Sequence, residues 1–163
     1  MSTEHVKPIP PKEKLVVGWR EWVSLPDLDI ARMKAKVDTG AQTSALHATA
    51  IKIVRIQGKS YVRFWTAPHQ RSGSGKKKMQ APLWGNKKVK SSTGHITDRP
   101  TILTRLKLGN RVFPIKLTLV NRDLMGFRML IGREALRKRF VVDSGRSYIQ
   151  KKKKKKKTKI TKK

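Results

Sequence analysis

The chain has 163 residues, no cysteine, and 40 basic against 10 acidic side chains, a formal charge of +30. This length fits one domain with flanking segments, and the missing cysteines exclude disulfide and thiol chemistry. No apolar run approaches the roughly 18 residues that a membrane-spanning helix needs, whereas the charge favours polyanionic partners through counterion release.

In chain order, residues 1–14 are polar, hold Pro8, Pro10 and Pro11, and read as an extended, disordered arm. They carry no apolar run of the kind a signal peptide needs, so the expected compartment is the cytoplasm. Residues 15–150 read as the folded domain and residues 151–163, nearly all lysine, as a self-repelling disordered tail. Within the domain, an apolar stretch leads into Asp38-Thr39-Gly40-Ala41. Here Asp38 supplies a carboxylate, Thr39 a hydrogen-bonding brace, and Gly40 room for close backbone approach.

Ile51–Ile56 and Tyr61–Trp65 alternate as a strand pair across Gln57-Gly58-Lys59-Ser60. Arg71–Lys78 reads as a flexible basic loop. The segment from Val89 to Arg99, with Ser91, Ser92, Thr93 and Gly94 at a polar, bendable tip, is either an ordinary hairpin or a flap over a cleft. Leu106 and Leu108, then Phe113, Ile115, Leu117 and Leu119, mark one buried face of a hairpin turning at Gly109-Asn110, with Lys116 and Thr118 on the other face. Phe127–Ile131 is an apolar strand ending at Gly132-Arg133, and Arg133–Arg139 is the one expected helix, basic at its end where positive charge suits the helix dipole. Asp143-Ser144-Gly145 reads as a polar turn closing a last hairpin or, alternatively, as a second acid beside Asp38. Of the tryptophans, Trp19, Trp22 and Trp65 are expected in the core, while Trp84 could line a cleft.

An Asp-Thr-Gly triplet is the loop on which aspartic proteases present a carboxylate. One carboxylate is half a site, because that hydrolysis needs two acids sharing a proton. A chain with a single triplet meets this requirement as a two-fold dimer. The stretches Val17–Leu28, Ala35–Ala48 and Phe127–Val142, with Ser91–His95 and Arg99-Pro100, resemble the bacterial and archaeal retropepsin-like domain family, over about Val17 to Asp143.

The resemblance implies an all-β fold, a closed acid-protease barrel with one short C-terminal helix. It further implies a homodimeric aspartic peptidase with Asp38, Thr39 and Gly40 in the catalytic loop and Ala41, Gly132 and Arg133 supporting it. Retroviral enzymes place an acid where this chain has Gln42, so Arg133 is expected to find Glu134 or a backbone carbonyl instead. Family members are often labelled ATP-dependent zinc proteases, yet His5, His47, His69 and His95 show no metal-ligand spacing. Around Gly73-Ser74-Gly75-Lys76 a phosphate loop lacks its first glycine and its closing Ser or Thr. No metal or cofactor is therefore expected. Relatives are associated with ligases that add glutamate to ribosomal proteins, which points to an acidic peptide substrate. The competing readings are a non-catalytic basic module for nucleic acid, the ribosome or an acidic protein, and a zinc hydrolase.

Overall fold

The computed structural model describes residues 13–67, 75–122 and 126–150. Most of the arm, positions 71–74 of the basic loop and the whole lysine tail lie outside the described residues. The rest is mostly β, as expected, with one short helix. Twelve strands are present among the described residues: β1 (Leu15–Gly18), β2 (Arg20–Leu25), β3 (Ile30–Val37), β4 (Ser44–His47), β5 (Thr49–Ile56), β6 (Lys59–Thr66), β7 (Lys77–Pro82), β8 (Gly85–Lys90), β9 (Ile96–Leu108), β10 (Arg111–Val120), β11 (Met129–Ile131) and β12 (Phe140–Asp143). Helix α1 spans Arg133–Leu136.

Hydrophobic alternation sets the layers. On β10, Phe113, Ile115, Leu117 and Leu119 are all buried, as the period of two requires, and they meet Leu106 and Leu108 of β9 in one core. The β9–β10 hairpin turns at Gly109, whose φ of 63° suits glycine. A seven-stranded sheet runs β10-β4-β11-β3-β2-β9-β8, and the additional β9–β10 pairing turns it into a ring with β8 outside. Strands β5, β6 and β7 form a separate antiparallel sheet, and β1 pairs in parallel with β12. No helix among the described residues is long and apolar enough to cross a membrane.

Several local expectations are corrected. Thr118, expected on the polar face of β10, is buried, because β4 lies alongside and the Thr118 hydroxyl donates to the Ser44 carbonyl (3.0 Å). Helix α1 stops at Leu136 rather than Arg139: Arg137 leaves helical geometry and Lys138 takes a φ of 66°, turning the chain into β12. Asp143-Ser144-Gly145 does form a turn, with the Gly145 amide donating to Asp143 Oδ1 (3.1 Å), but it closes no hairpin, since β12 pairs in parallel with β1.

Trp19, Trp22 and Trp65 are half-buried rather than part of the core. Each ring lies beneath a cation, Arg20 at 4.5 Å, Arg32 at 3.8 Å and Lys76 at 5.3 Å respectively. An indole keeps one face on apolar neighbours while the other meets a basic surface.

One surface pair ties two parts of the ring together. Asp27, in the short turn after β2, accepts from the backbone amide of Arg105 (2.9 Å) and from its guanidinium (2.7 Å). The Arg105 hydrogen bonds hold the Asp27 carboxyl below its ordinary value of 3.8. A depressed carboxyl adds stability above its unfolded-state value and loses it as pH falls through the lower folded-state value. Urea midpoints of the protein and of Asp27→Asn should therefore differ at neutral pH and converge as the pH drops below about 4. A difference that persists in acid, or grows there, would contradict this assignment.

Candidate functional site: a basic cleft over the Asp-Thr-Gly loop

The loop is built by the two strands beneath it. Strand β11 runs parallel to β3 with Ile131 beside Val37, and the Asp38 amide donates to the Ile131 carbonyl (2.9 Å). Asp38 Oδ1 then accepts the Gly40 amide (2.9 Å), and the Ala41 amide donates to the Asp38 carbonyl (3.3 Å). One carboxylate oxygen is thus committed to holding the turn.

Support comes from behind, from the residues the sequence pointed to. The Arg133 guanidinium donates to the carbonyls of Thr39 (3.3 Å) and Gly40 (3.2 Å), and its amide donates to the Ala41 carbonyl (2.8 Å). Of the two acceptors expected for Arg133, the backbone carbonyl is the one observed. Glu134 instead accepts from Gln42 Nε2 (2.9 Å). Gly132 sits where a Cβ would lie 2.5 Å from the Thr43 carbonyl carbon.

Opposite the loop stands the antiparallel β8–β9 hairpin, which carries Ser91, Ser92, Thr93 and Gly94 at its tip. Its tip is closed by the Ser91 amide on the His95 carbonyl (2.8 Å) and the Gly94 amide on the Ser91 carbonyl (3.0 Å). The Ser91 and Thr93 hydroxyls share a hydrogen bond (2.8 Å), and Gly94 takes a φ of 88°. Between hairpin and loop lies a cleft of about 510 Å³, bordered by Asp38, Gly40, Ala41 and Gln42 on one side and by Lys87, Lys88, Lys90 and Ser92 on the other. Arg99, Arg122, Thr118 and Leu130 also line it.

Among these lining residues Asp38 is the one acid, and Lys87, Lys88, Lys90, Arg99 and Arg122 are cations. Asp143, the alternative second acid, ends β12 beside Gly18 and does not border the cleft. Burial, then the charge of Arg99, draws the Arg122 guanidinium below its ordinary range, while Asp38 opposes the shift. Burial likewise lowers Arg99. Among the described residues, Arg122 Nε is buried with no hydrogen-bond partner.

Sequence reading missed Arg122 and its support. Its backbone amide donates to Nδ1 of the buried His47 (2.8 Å), which fixes the chain as it leaves β10. An arginine after an apolar strand carries no local signal of this role. The lysines of β8 were visible only as general charge.

A glycine-bearing strand behind a single Asp-Thr-Gly loop, with a hairpin across it, is the layout of a retropepsin-like domain. The family model described as RimB-like, retropepsin-like aspartic endopeptidase RimB, matches residues 16–153, and the chain belongs to that family. Two of its relatives, from Desulfotalea psychrophila (42% identical over 130 residues) and Parasynechococcus marenigrum (40% over 135), are each named probable alpha-L-glutamate ligase. The matches cover 80% and 83% of this chain but only 28% and 29% of those proteins, so the chain spans less than a third of their length. A crystal structure of Lpg0085 from Legionella pneumophila, a protein of unknown function (DUF785), is similar with a TM-score of 0.71 and 30% identity. That match covers 85% of this chain and 100% of Lpg0085.

These names correct the expected activity. The sequence pointed to a peptide-cleaving hydrolase, whereas curated relatives at 36–42% identity are named ligases. The described lining of the cleft offers a single carboxylate facing a cluster of cations.

Proposed function

We propose that this chain is the substrate-holding module of glutamate-ligating chemistry, its basic cleft taking the carboxylates of a glutamate-rich peptide. The observation that carries the reading is the pair Arg99 and Arg122: two half-buried guanidiniums close enough to repel, one with an unpartnered Nε, at the base of a lysine-lined cleft. A carboxylate satisfies that arrangement, since guanidinium binds it through paired, charge-assisted hydrogen bonds. Lys87, Lys88 and Lys90 extend the positive field along β8 toward further carboxylates. Asp38 supplies the one negative point, placed to receive an α-ammonium while the arginines hold the acid groups of the same ligand. The relatives' name supports glutamate as the residue recognised. Within this reading the ring of strands is a closed, acid-protease-type barrel that fixes loop and hairpin at a constant separation; its unbroken pairing supports that description.

Calorimetric titration with tetraglutamate tests the proposal. Tetraglutamate should bind and tetralysine should not, with affinity falling as salt rises. Arg122→Gln should weaken tetraglutamate by roughly thirtyfold, within the range for a hydrogen bond to a charged group. Asp38→Asn should leave an N-acetylated peptide unaffected while weakening one with a free amino end. Equal binding of acidic and neutral peptides, or no effect of Arg122→Gln, would remove the proposal.

A further inference from the structure

A second surface, formed by the β5–β6–β7 sheet away from the cleft, has a different chemistry. Strand β6 turns Val62, Phe64 and Thr66 inward, all buried, so Tyr61, Arg63 and Trp65 project from the opposite face. Register places Lys52 of β5 opposite Arg63, and Lys78 of β7 opposite Trp65. The result is two half-buried aromatic rings about 13 Å apart along one strand at 3.3 Å per residue, with an exposed arginine between them and lysines on both sides. At the β5 bulge, where Ala50 takes a φ of 48°, a hollow of about 410 Å³ opens beside Trp65, bordered by Lys52, Arg63 and Lys78.

Nothing acidic offsets this face from within. The sequence holds no Asp or Glu between Asp38 and Asp98, a span that includes all three strands. The ion pair that reaches the sheet, Lys77 with Asp29 (3.2 Å), uses a residue whose register partner is the inward Thr66. It therefore lies on the core side of the sheet.

We propose that this face binds single-stranded nucleic acid, with one base stacked on Tyr61, another taking the place of Lys76 over the Trp65 ring, and phosphates held by Arg63, Lys52, Lys78 and the displaced Lys76. The chemistry selects this occupant. An acidic protein or a sulfated polysaccharide would use the cations but have no group for the rings. A base presents a flat π-face to an indole or phenol, and its backbone carries one negative charge per nucleotide, so rings and cations are both used. A duplex hides its bases and leaves only the phosphates to be held. Because ring stacking tolerates every base, the site is expected to show little sequence preference.

The test is fluorescence anisotropy of labelled oligouridylate and oligothymidylate with the full chain, with heparin as the base-free polyanion. Affinity should fall steeply between about 50 and 200 mM salt. Trp65→Ala should weaken both oligonucleotides by about tenfold, consistent with the loss of one stacked base, and leave heparin unchanged. Trp65→Phe should restore most of the loss, separating stacking from any damage to the fold. A preference for uridylate over thymidylate would identify RNA as the ligand, and equal binding would identify single strands of either sugar. The proposal is overturned if Trp65→Ala changes nothing, if oligonucleotide and heparin weaken together, or if a duplex binds as tightly as a single strand. Neither the lysine tail nor the cleft differs among these variants, so their contribution cancels in the comparison.

Discussion

Gly132→Ala should cost about 3 kcal/mol of stability, the upper part of the usual range for an overpacked core position, and should abolish binding in the cleft. The glycine's φ of −86° is ordinary, so backbone strain is not the reason. Space is. A Cβ would lie 2.5 Å from the Thr43 carbonyl carbon, 2.6 Å from its oxygen and 2.9 Å from the Gln42 oxygen, all backbone atoms that cannot rotate aside. The same segment is held by the Gly132 amide on Ser44 Oγ (3.1 Å) and by the Glu134 amide on the Gln42 carbonyl (3.1 Å). Moving Thr43 therefore moves the carboxyl end of the Asp38 loop and loosens the Arg133 contacts to Thr39 and Gly40. Gly18 is crowded too, with a Cβ 2.2 Å from the Arg146 carbonyl oxygen, which accepts the Trp19 amide (2.9 Å), but it lies away from the Asp38 loop. Guanidinium melts should show a loss for both alanine variants, and tetraglutamate binding should be lost in Gly132→Ala alone. A Gly132→Ala protein with unchanged midpoint and unchanged tetraglutamate affinity would show that the loop does not depend on this contact.

The parts of the site legible from sequence were those whose residue types have only a few structural uses. An acid followed by Thr-Gly after an apolar run is a turn that exposes a carboxylate, and Gly132-Arg133 after an apolar strand is a close packing point followed by a donor. Both were located, while for Arg133 the sequence left Glu134 and a backbone carbonyl open, and the carbonyls of Thr39 and Gly40 are what it uses. The two short-range hairpins were legible for a similar reason, since alternation and turn residues are local. The parallel pairings of β1 with β12, β4 with β10 and β3 with β11 join strands far apart in sequence, and no local pattern encodes them. Arg99 and Arg122 lie at the open end of the β9–β10 hairpin, whose register runs to Thr101 opposite Thr118, but no local pattern says that both side chains turn into one cleft. The reaction was the least legible feature: a loop can be read from three residues, but what it serves depends on the surrounding charges and on chain beyond it.

Phe64→Ala should be the most damaging single truncation, costing about 3–5 kcal/mol as expected for a fully buried aromatic. Phe64 is 1% exposed and is among the largest fully buried side chains. Its position matters more than its size. The three-stranded sheet shares no backbone ladder with the seven-stranded one, and it joins the common core through the inward side chains Val62, Phe64 and Ala81. Removing the phenyl ring takes away the largest of these contacts and leaves Val62 and Ala81, the partly buried Ile51 and Met79, and the Thr66 hydroxyl on the His47 carbonyl to hold that sheet against the ring of strands. With total stability of a domain this size near 5–15 kcal/mol, the loss removes a large fraction of it. The expected signature is a lower denaturant midpoint and faster exchange of amides in β5–β7 than in β9–β10. Trp65→Ala, one residue away but on the outer face, should shift the midpoint far less while changing oligonucleotide affinity. If the two variants were equally unstable, the division of β6 into a structural face and a binding face would be wrong. If Phe64→Ala melted both sheets in step without an early β5–β7 phase, the core would be a single cooperative unit despite its separate ladders.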